Sequence, residues 1–495
     1  MRFSAPSLLV LALASGFGGV VCADGVVTSP PPAPAPAVRS TVAAPPCVAP
    51  CAPKPPHPAY ENIRYRENWC PLADVPVCER RDLLDAWKAA RLTRDGCVRV
   101  DVGGQARVRF EHWDDQNVGG IPGSDDWWLA RVRLHADVHV GEHLRAFVEG
   151  IYADEDGRDA GPRPVDVNQG DFLNLFAEAH GTLDGDTKVG IRGGRQEMLF
   201  DKQRLVGPLD WANTRRTFDG VSAWIERPRW RVDVFATRPV VIDPDALDEA
   251  NSDVDFAGAW FAAKPWEGGK ADAFVLYRAK DGAKWLGVTG DESRWTVGAG
   301  ANGPIPGTRF DWDAEAAVQL GTFGDASILA GNATAEFGWK PCVKCFEPRL
   351  ALGADWASGD DGKGGDLGTY DPLFPTGHLF FGWTDLIGRS NLLAGRLTFT
   401  AKPWASVTVR ADFHAFWRAS EDDAVYNAAG GVLRAPSGSS ERAVGTELDL
   451  QVKWAIDPHW ELEVGGGRFF AGAFLDATGP HEDTDLLYAS MTFTF

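Results

Sequence analysis

The chain has 495 residues, a formal net charge of −20, 20 Trp and 55 Gly. Beyond an N-terminal leader, no apolar run is long enough to cross a bilayer as a helix, which excludes a helical membrane protein. A long, acidic, Trp-rich and Gly-rich chain without such helices fits a transmembrane β-barrel, whose signal is alternation rather than an apolar run.

Residues 1–23 read as a secretory signal peptide for Sec-type export. Arg2 is the positive end, Leu8 to Ala14 the apolar centre and Val21-Cys22-Ala23 the cleavage site. Two alternatives are weaker: the apolar centre is short for an anchor helix, and Val21 is bulky for lipid attachment at Cys22. Of eight cysteines, seven follow the cleavage site, so one thiol is left over in an oxidising compartment. Cys342-Val-Lys-Cys345 has no second ligand pair nearby for zinc, so a local disulfide is expected there. Residues 24–58 are Pro-rich and predict an extended linker. Residues 59–98 read as a short periplasmic preamble. Leu83, Ala86, Trp87 and Ala90 fall at helical spacing and predict one helix over residues 82–92.

From residue 99 to 495 the period is two. Trp128, Ala130, Val132, Leu134, Ala136 and Val138 alternate with Arg131, Arg133, His135 and Asp137. Val407, Val409, Ala411 and Phe413 alternate with Thr408, Arg410, Asp412 and His414. Such long alternation puts one face in an apolar medium and the other in water. Short turns (141–143, 181–186, 228–229, 265–269) alternate with long acidic loops (114–126, 154–171, 197–214, 239–254, 280–293, 356–389). This is the organisation of an outer-membrane barrel, with about eighteen strands and the short turns periplasmic. Parity is unclear near Gly193-Gly194, residues 255–261 and residues 465–467. Pro-Arg-Trp230, Pro-Trp266, Pro-Trp404 and Pro-His-Trp460 recur at successive short turns and predict an aromatic girdle. The chain closes on an amphipathic strand ending Met491-Thr-Phe-Thr-Phe495.

The water-facing side supplies the functional candidates. Arg107, Arg109, Arg131 and Arg133 form a basic arc early in the chain; Asp311, Asp313, Glu447, Asp449, Glu461 and Glu463 form an acidic arc later, with Arg410 and Lys453 among them. Opposite charges laddering between strands would explain this structurally. A ring selective for anions would explain it functionally. Residues 191–220 add Arg192, Arg195, Arg215 and Arg216, too many guanidinium groups to bury cheaply in a soluble core. On strands, adjacent residues alternate, so one of Arg192 and Arg195 and one of Arg215 and Arg216 would face water, while Arg204 would sit on an external loop at 197–214. No phosphate-cradling loop, HExxH or GxSxG is present, so no enzyme and no cofactor are expected. The acidic loops lack a full calcium hand, so no metal is expected. No nucleic-acid partner is expected.

The stretch Gly194 to Val221 (GRQEMLFDKQRLVGPLDWANTRRTFDGV) resembles the alginate export family of bacterial outer-membrane porins. The likeness extends to Tyr65–Trp69 (YRENW), Leu84–Ala90 (LDAWKAA), the Gly-Gly-x-x-Arg pattern at Val102–Phe110 and the closing strand. The Pro-rich linker and the cysteines depart from it. The resemblance implies an eighteen-stranded monomeric barrel in the bacterial outer membrane, in contact with its lipid, with an electropositive constriction passing an anionic polysaccharide outward. It marks Arg195, Arg204, Arg215, Arg216, Arg107 and Arg109 by motif. Three functions follow as expectations: export of an alginate-like polyanion with a periplasmic export partner, a porin for small anions or general solutes, or a structural envelope protein.

Overall fold

A computed structural model describes residues 58–341 and 346–495. The signal peptide, the linker up to residue 57 and the Cys342–Cys345 pair lie outside the described residues. Among the described residues, Cys70, Cys78 and Cys97 are exposed and form no disulfide with one another.

Eighteen antiparallel strands form one closed barrel. They are β1 (Val98–Asp114), β2 (Asp125–Val140), β3 (Leu144–Asp156), β4 (Asn168–Thr182), β5 (Lys188–Gln196), β6 (Phe218–Arg227), β7 (Trp230–Val241), β8 (Val254–Ala263) and β9 (Lys270–Trp285). Then come β10 (Val288–Pro304), β11 (Phe310–Phe323), β12 (Ala326–Trp339), β13 (Arg349–Ala357), β14 (Leu392–Trp404), β15 (Val407–Arg418), β16 (Ala443–Ala455), β17 (Trp460–Ala471) and β18 (Thr484–Thr494). Each pairs with its sequence neighbour, and β18 closes on β1 from Gln105↔Thr494 to Asp114↔Asp485. Closure removes the free edges that a bilayer cannot satisfy.

Alternation decides the faces. On β2, Trp128, Val132 and Leu134 are exposed while Arg131 and Arg133 between them are buried. That is inside-out for a soluble protein and correct for lipid outside and a polar lumen. Trp266, Trp404 and Trp460 are exposed beside their turns, where a girdle would lie.

One arc of the wall breaks the pattern. Phe235, Phe256, Trp260, Phe274 and Leu276, on β7 to β9, point inward and are buried. They pack against Met198, Phe200, Leu205 and Val206 from residues 197–217, hereafter loop 1. Each such side chain contributes about 1.5–3 kcal/mol when buried. Loop 1 therefore folds into the lumen and is not the external loop that sequence alone suggests. Residues 358–391, loop 2, fold in beside it. The two join across the lumen: Phe374 N–H donates to Leu205 O (2.9 Å), Gly207 N–H to Phe374 O (3.0 Å) and Thr376 N–H to Gln203 O (2.9 Å).

Two local expectations are corrected. Residues 82–92 form only a short 3-10 turn, Leu84–Trp87, before Ala90–Arg91 pairs with β1. Leu83 and Trp87 stay exposed, so the helical spacing has no partner face to bury it. Residues 280–293 are not a long loop: β9 and β10 run on to meet at Trp285↔Val288.

The preamble enters the periplasmic mouth. Tyr65 sits edge-on to Phe147 and Phe176 and donates its hydroxyl to Glu197 O (2.5 Å). Arg64 donates to Phe495 O at 2.9 Å and pairs with Glu67 at 2.7 Å. His459 contacts Asp82 (2.9 Å) and Thr494 O (2.7 Å), tying the preamble to the barrel's closing strands.

Candidate solute pathway

The early arginines point into the barrel and are almost wholly committed to loop 1. Arg107 donates to Asp210 O (3.0 Å), Ala212 O (3.3 Å) and Asn213 Oδ1 (3.3 Å). Arg109 donates to Trp211 O (2.7 Å) and pairs with Glu111 (2.7 Å). Arg131 reaches Asp210 O (3.1 Å), Asp210 Oδ1 (3.0 Å) and Ala212 O (3.1 Å). Arg133 pairs with Glu149 (2.9 Å) and Glu197 (3.5 Å). Buried guanidinium groups are tolerable only when paired and hydrogen-bonded, and the turn 210–213 supplies those partners. Burial would push the Asp210 carboxyl up, but Arg215, Arg131 and Arg107 outweigh it and hold it well below the usual carboxylate range.

Arg215 and Arg216 lie on loop 1, before β6 begins at Phe218, so strand alternation does not apply to them. Both turn inward. Arg215 pairs with Glu197 (2.5 Å) and with Asp210. Arg216 donates to Gly207 O (3.3 Å) and Pro375 O (3.1 Å), across the loop junction, and burial lowers its pKa to about 10. Arg204 crosses the lumen to Asp313 (2.5 Å) and Glu315 (3.7 Å) on β11. Arg192 faces inward on β5, pairs with Glu178 (2.6 Å) and lies 4.2 Å from the Tyr65 ring centroid. Arg195 has the opposite parity. It sits at the extracellular rim, held by Asp219 (2.9 Å), Asp171 (3.4 Å) and Asp248 O (2.7 Å).

The acidic arc does the converse for loop 2. Glu447 accepts from Thr384 N–H (2.9 Å) and Thr384 Oγ1 (2.8 Å), and Asp449 accepts from Trp383 N–H (3.3 Å). Gly382 has φ +93°, and a Cβ there would meet the Glu447 carboxyl carbon at 2.3 Å. Only glycine suits this close approach.

Between the seated loops and the wall lies a cavity of about 430 Å³. Five cations line it (Arg107, Arg109, Arg131, Arg410, Lys453) against three carboxylates (Asp210, Glu461, Glu463). Arg410 pairs with Asp412 at 2.6 Å and keeps 23% of its side chain exposed; Lys453 pairs with Glu463 at 2.7 Å and keeps 42%. Trp211, His378 and Trp383 form an aromatic flank, with Trp211 stacked on His378 at 4.0 Å and Arg109 3.9 Å from the Trp211 centroid. These three aromatics escape sequence reasoning, because loop residues carry no period; Trp211 alone falls within the family-like stretch. A second cavity, about 510 Å³, lies by β5 to β9, where four arginines meet five carboxylates.

Among the described residues, Asp101, Asp137 and His139 bring ligand atoms within 4.8 Å of one another. Arg145 already holds Asp137 at 2.7 Å and Ala89 N–H holds Asp101 at 2.5 Å, so the group is an ion-pair network.

A closed, lipid-facing barrel with a polar, loop-narrowed lumen defines an outer-membrane channel, not an enzyme. The alginate export profile matches residues 98–489, and the chain belongs to that family. No curated protein matches the sequence. Among solved structures, Pseudomonas aeruginosa OccD3 (OpdP) is 9% identical with a TM-score of 0.54, over 80% of this chain and 91% of that one. Acinetobacter baumannii OccAB4 is 10% identical with a TM-score of 0.54, over 80% and 98%. Pseudomonas aeruginosa OpdK, solved with vanillate, is 11% identical with a TM-score of 0.53, over 80% and 98%. These likenesses establish the barrel fold and, with the family, the bacterial outer membrane as its place.

Proposed function

We propose that the protein conducts anionic, ring-sized solutes, carboxylated sugars above all, through the arginine-lined cavity. The observation that carries this is the excess of cations over carboxylates beside an aromatic flank. Guanidinium and ammonium groups attract carboxylate, and ring faces of a sugar stack on Trp. The cavity's volume suits a solute of one or two rings. OpdK bound vanillate, also a carboxylated ring, in a barrel of this fold. The reading needs one chain only. The test is reversal potential across a planar bilayer in a salt gradient. Wild type prefers anions; Arg410→Ala with Lys453→Ala lowers that preference by about twofold to tenfold. A cation-preferring wild type would sink the proposal.

Family membership favours a second reading, outward passage of an alginate-like polyanion. A polymer needs a continuous path, so the loop 1–loop 2 junction would have to part, and a periplasmic export partner belongs to this reading alone. Block of the current by polyuronate, with loop opening, supports it; free current in excess polyuronate counts against it.

A further inference from the structure

A third cavity, about 310 Å³, lies on the extracellular side of the loop junction, beneath the β9–β10 hairpin. The junction is its floor. Phe374 and Pro375 line this outer cavity, while Gln203 and Thr376 line the arginine cavity below, and Thr376 N–H bonds to Gln203 O at 2.9 Å. One short piece of backbone therefore separates the two chambers.

The outer chamber repeats the chemistry of the inner one. Arg278 on its wall is neutralised by Glu292 (2.6 Å) and Asp371 (2.5 Å), and Glu292 also meets Arg294 at 3.0 Å. Burial would raise the Asp371 carboxyl, but Arg278 and Arg294 bring it down to about 2, so it stays ionised and engaged. Lys280 and Lys284 also line the chamber, are exposed, and form no ion pair among the described residues. They are its uncompensated charge. Trp285 lines the chamber with them, stacked on Tyr426 at 5.3 Å with 26° between planes.

We propose that this chamber is a capture station for carboxylated sugars arriving from outside: Lys280 and Lys284 take the carboxylate, and Trp285 takes the ring, before the junction admits the solute to the arginine cavity. The proposal rests on the small-anion reading above and adds a site, its ligands and a direction of approach.

The test is single-channel block by glucuronate, added separately to each side of singly oriented channels. For Lys280→Ala with Lys284→Ala, the frequency of blocking events falls about fivefold for extracellular addition and is unchanged for periplasmic addition. Trp285→Ala removes the ring face, and shortens extracellular block about threefold to tenfold at unchanged frequency. Heat-modifiable mobility on gels confirms that each variant folds. Unaltered block frequency and dwell time from outside overturn the station while leaving the small-anion function standing. Wild type that glucuronate blocks from neither side overturns both.

Discussion

Loop 1 offers the wall backbone carbonyls, and β1 and β2 answer with Arg107, Arg109 and Arg131; loop 2 offers backbone N–H groups, and β16 answers with Glu447 and Asp449. Both arcs look like selectivity elements when read as lists of charges. Each is largely spent on seating a loop. The difference lies in compensation. Loop 1 brings its own carboxylate, Asp210, and its own Glu197 partner, Arg215, so its seat is a closed network of opposite charges. Loop 2 meets Glu447 and Asp449 with dipoles alone, its own ion pairs to the wall, Asp371 with Arg278 and Arg389 with Asp355, lying elsewhere. Removing one member should therefore hurt the first seat more than the second.

The largest effect is expected from Arg215→Met. It leaves the fully buried Glu197, and beside it the partly exposed Asp210, short of their cation, costing about 3–5 kcal/mol of loop seating, chiefly at Glu197. Single-channel conductance should rise, and protease should cut within 197–217. Undisturbed conductance would show that the arginine arc alone holds loop 1.

A third seat, that of the preamble, isolates what an uncompensated cation costs. Lys88 is buried between Trp69 (4.6 Å) and Tyr60 (5.7 Å), and its Nζ has no hydrogen-bond partner among the described residues. Burial brings its pKa down from 10.5 to about 8, against the upward pull of Glu67 and Asp101. The docked state then binds fewer protons than the undocked one between pH 8 and 10.5, so docking strengthens as pH rises through that window and carries the full penalty below it. Lys88→Met should flatten this dependence and stabilise docking at neutral pH by up to about 3 kcal/mol. Hydrogen exchange of the preamble against pH measures it; a preamble that loosens towards pH 10 would contradict it.

Loop 2 is the gentler seat. Glu447→Gln keeps one acceptor and the shape, and should cost about 1–2 kcal/mol. Gly382→Ala meets both a positive φ and the Glu447 carboxyl and should cost at least as much. Both should raise conductance less than Arg215→Met does. The reverse order would mean that loop 2, not loop 1, closes the lumen.

How much of this was legible in sequence follows from where period two survives. Lipid imposes an apolar outer face, so the strands, their number and the short turns could be read off the alternation. Parity blurred at residues 255–261 because Phe256 and Trp260 point inward while Phe261 is exposed: both faces of β8 are apolar where loop 1 packs. The arginines were visible, but their partners were not. Carbonyls of residues 210–212 reach Arg107 only after a loop doubles back, and no local pattern records that. Residues 82–92 misled for the opposite reason, a helical spacing with nothing to bury it. The aromatic flank of Trp211, His378 and Trp383 joins two loops about 170 positions apart in sequence, a proximity only the fold creates.

The smallest effect separates motif from pathway. Arg195 belongs to the most family-like stretch, yet it stands at the rim with its charge met by Asp219 and Asp171. Arg195 keeps only 12% of its side chain exposed, so losing these pairs costs about 1–3 kcal/mol. Arg195→Ala should lower the thermal unfolding temperature modestly but leave the reversal potential where wild type has it. Arg410→Ala, in no such motif but exposed to the cavity, should move the reversal potential towards zero. If Arg195→Ala moves it as far, the anion filter lies at the rim, and the buried arginine arc beneath it serves the loops alone.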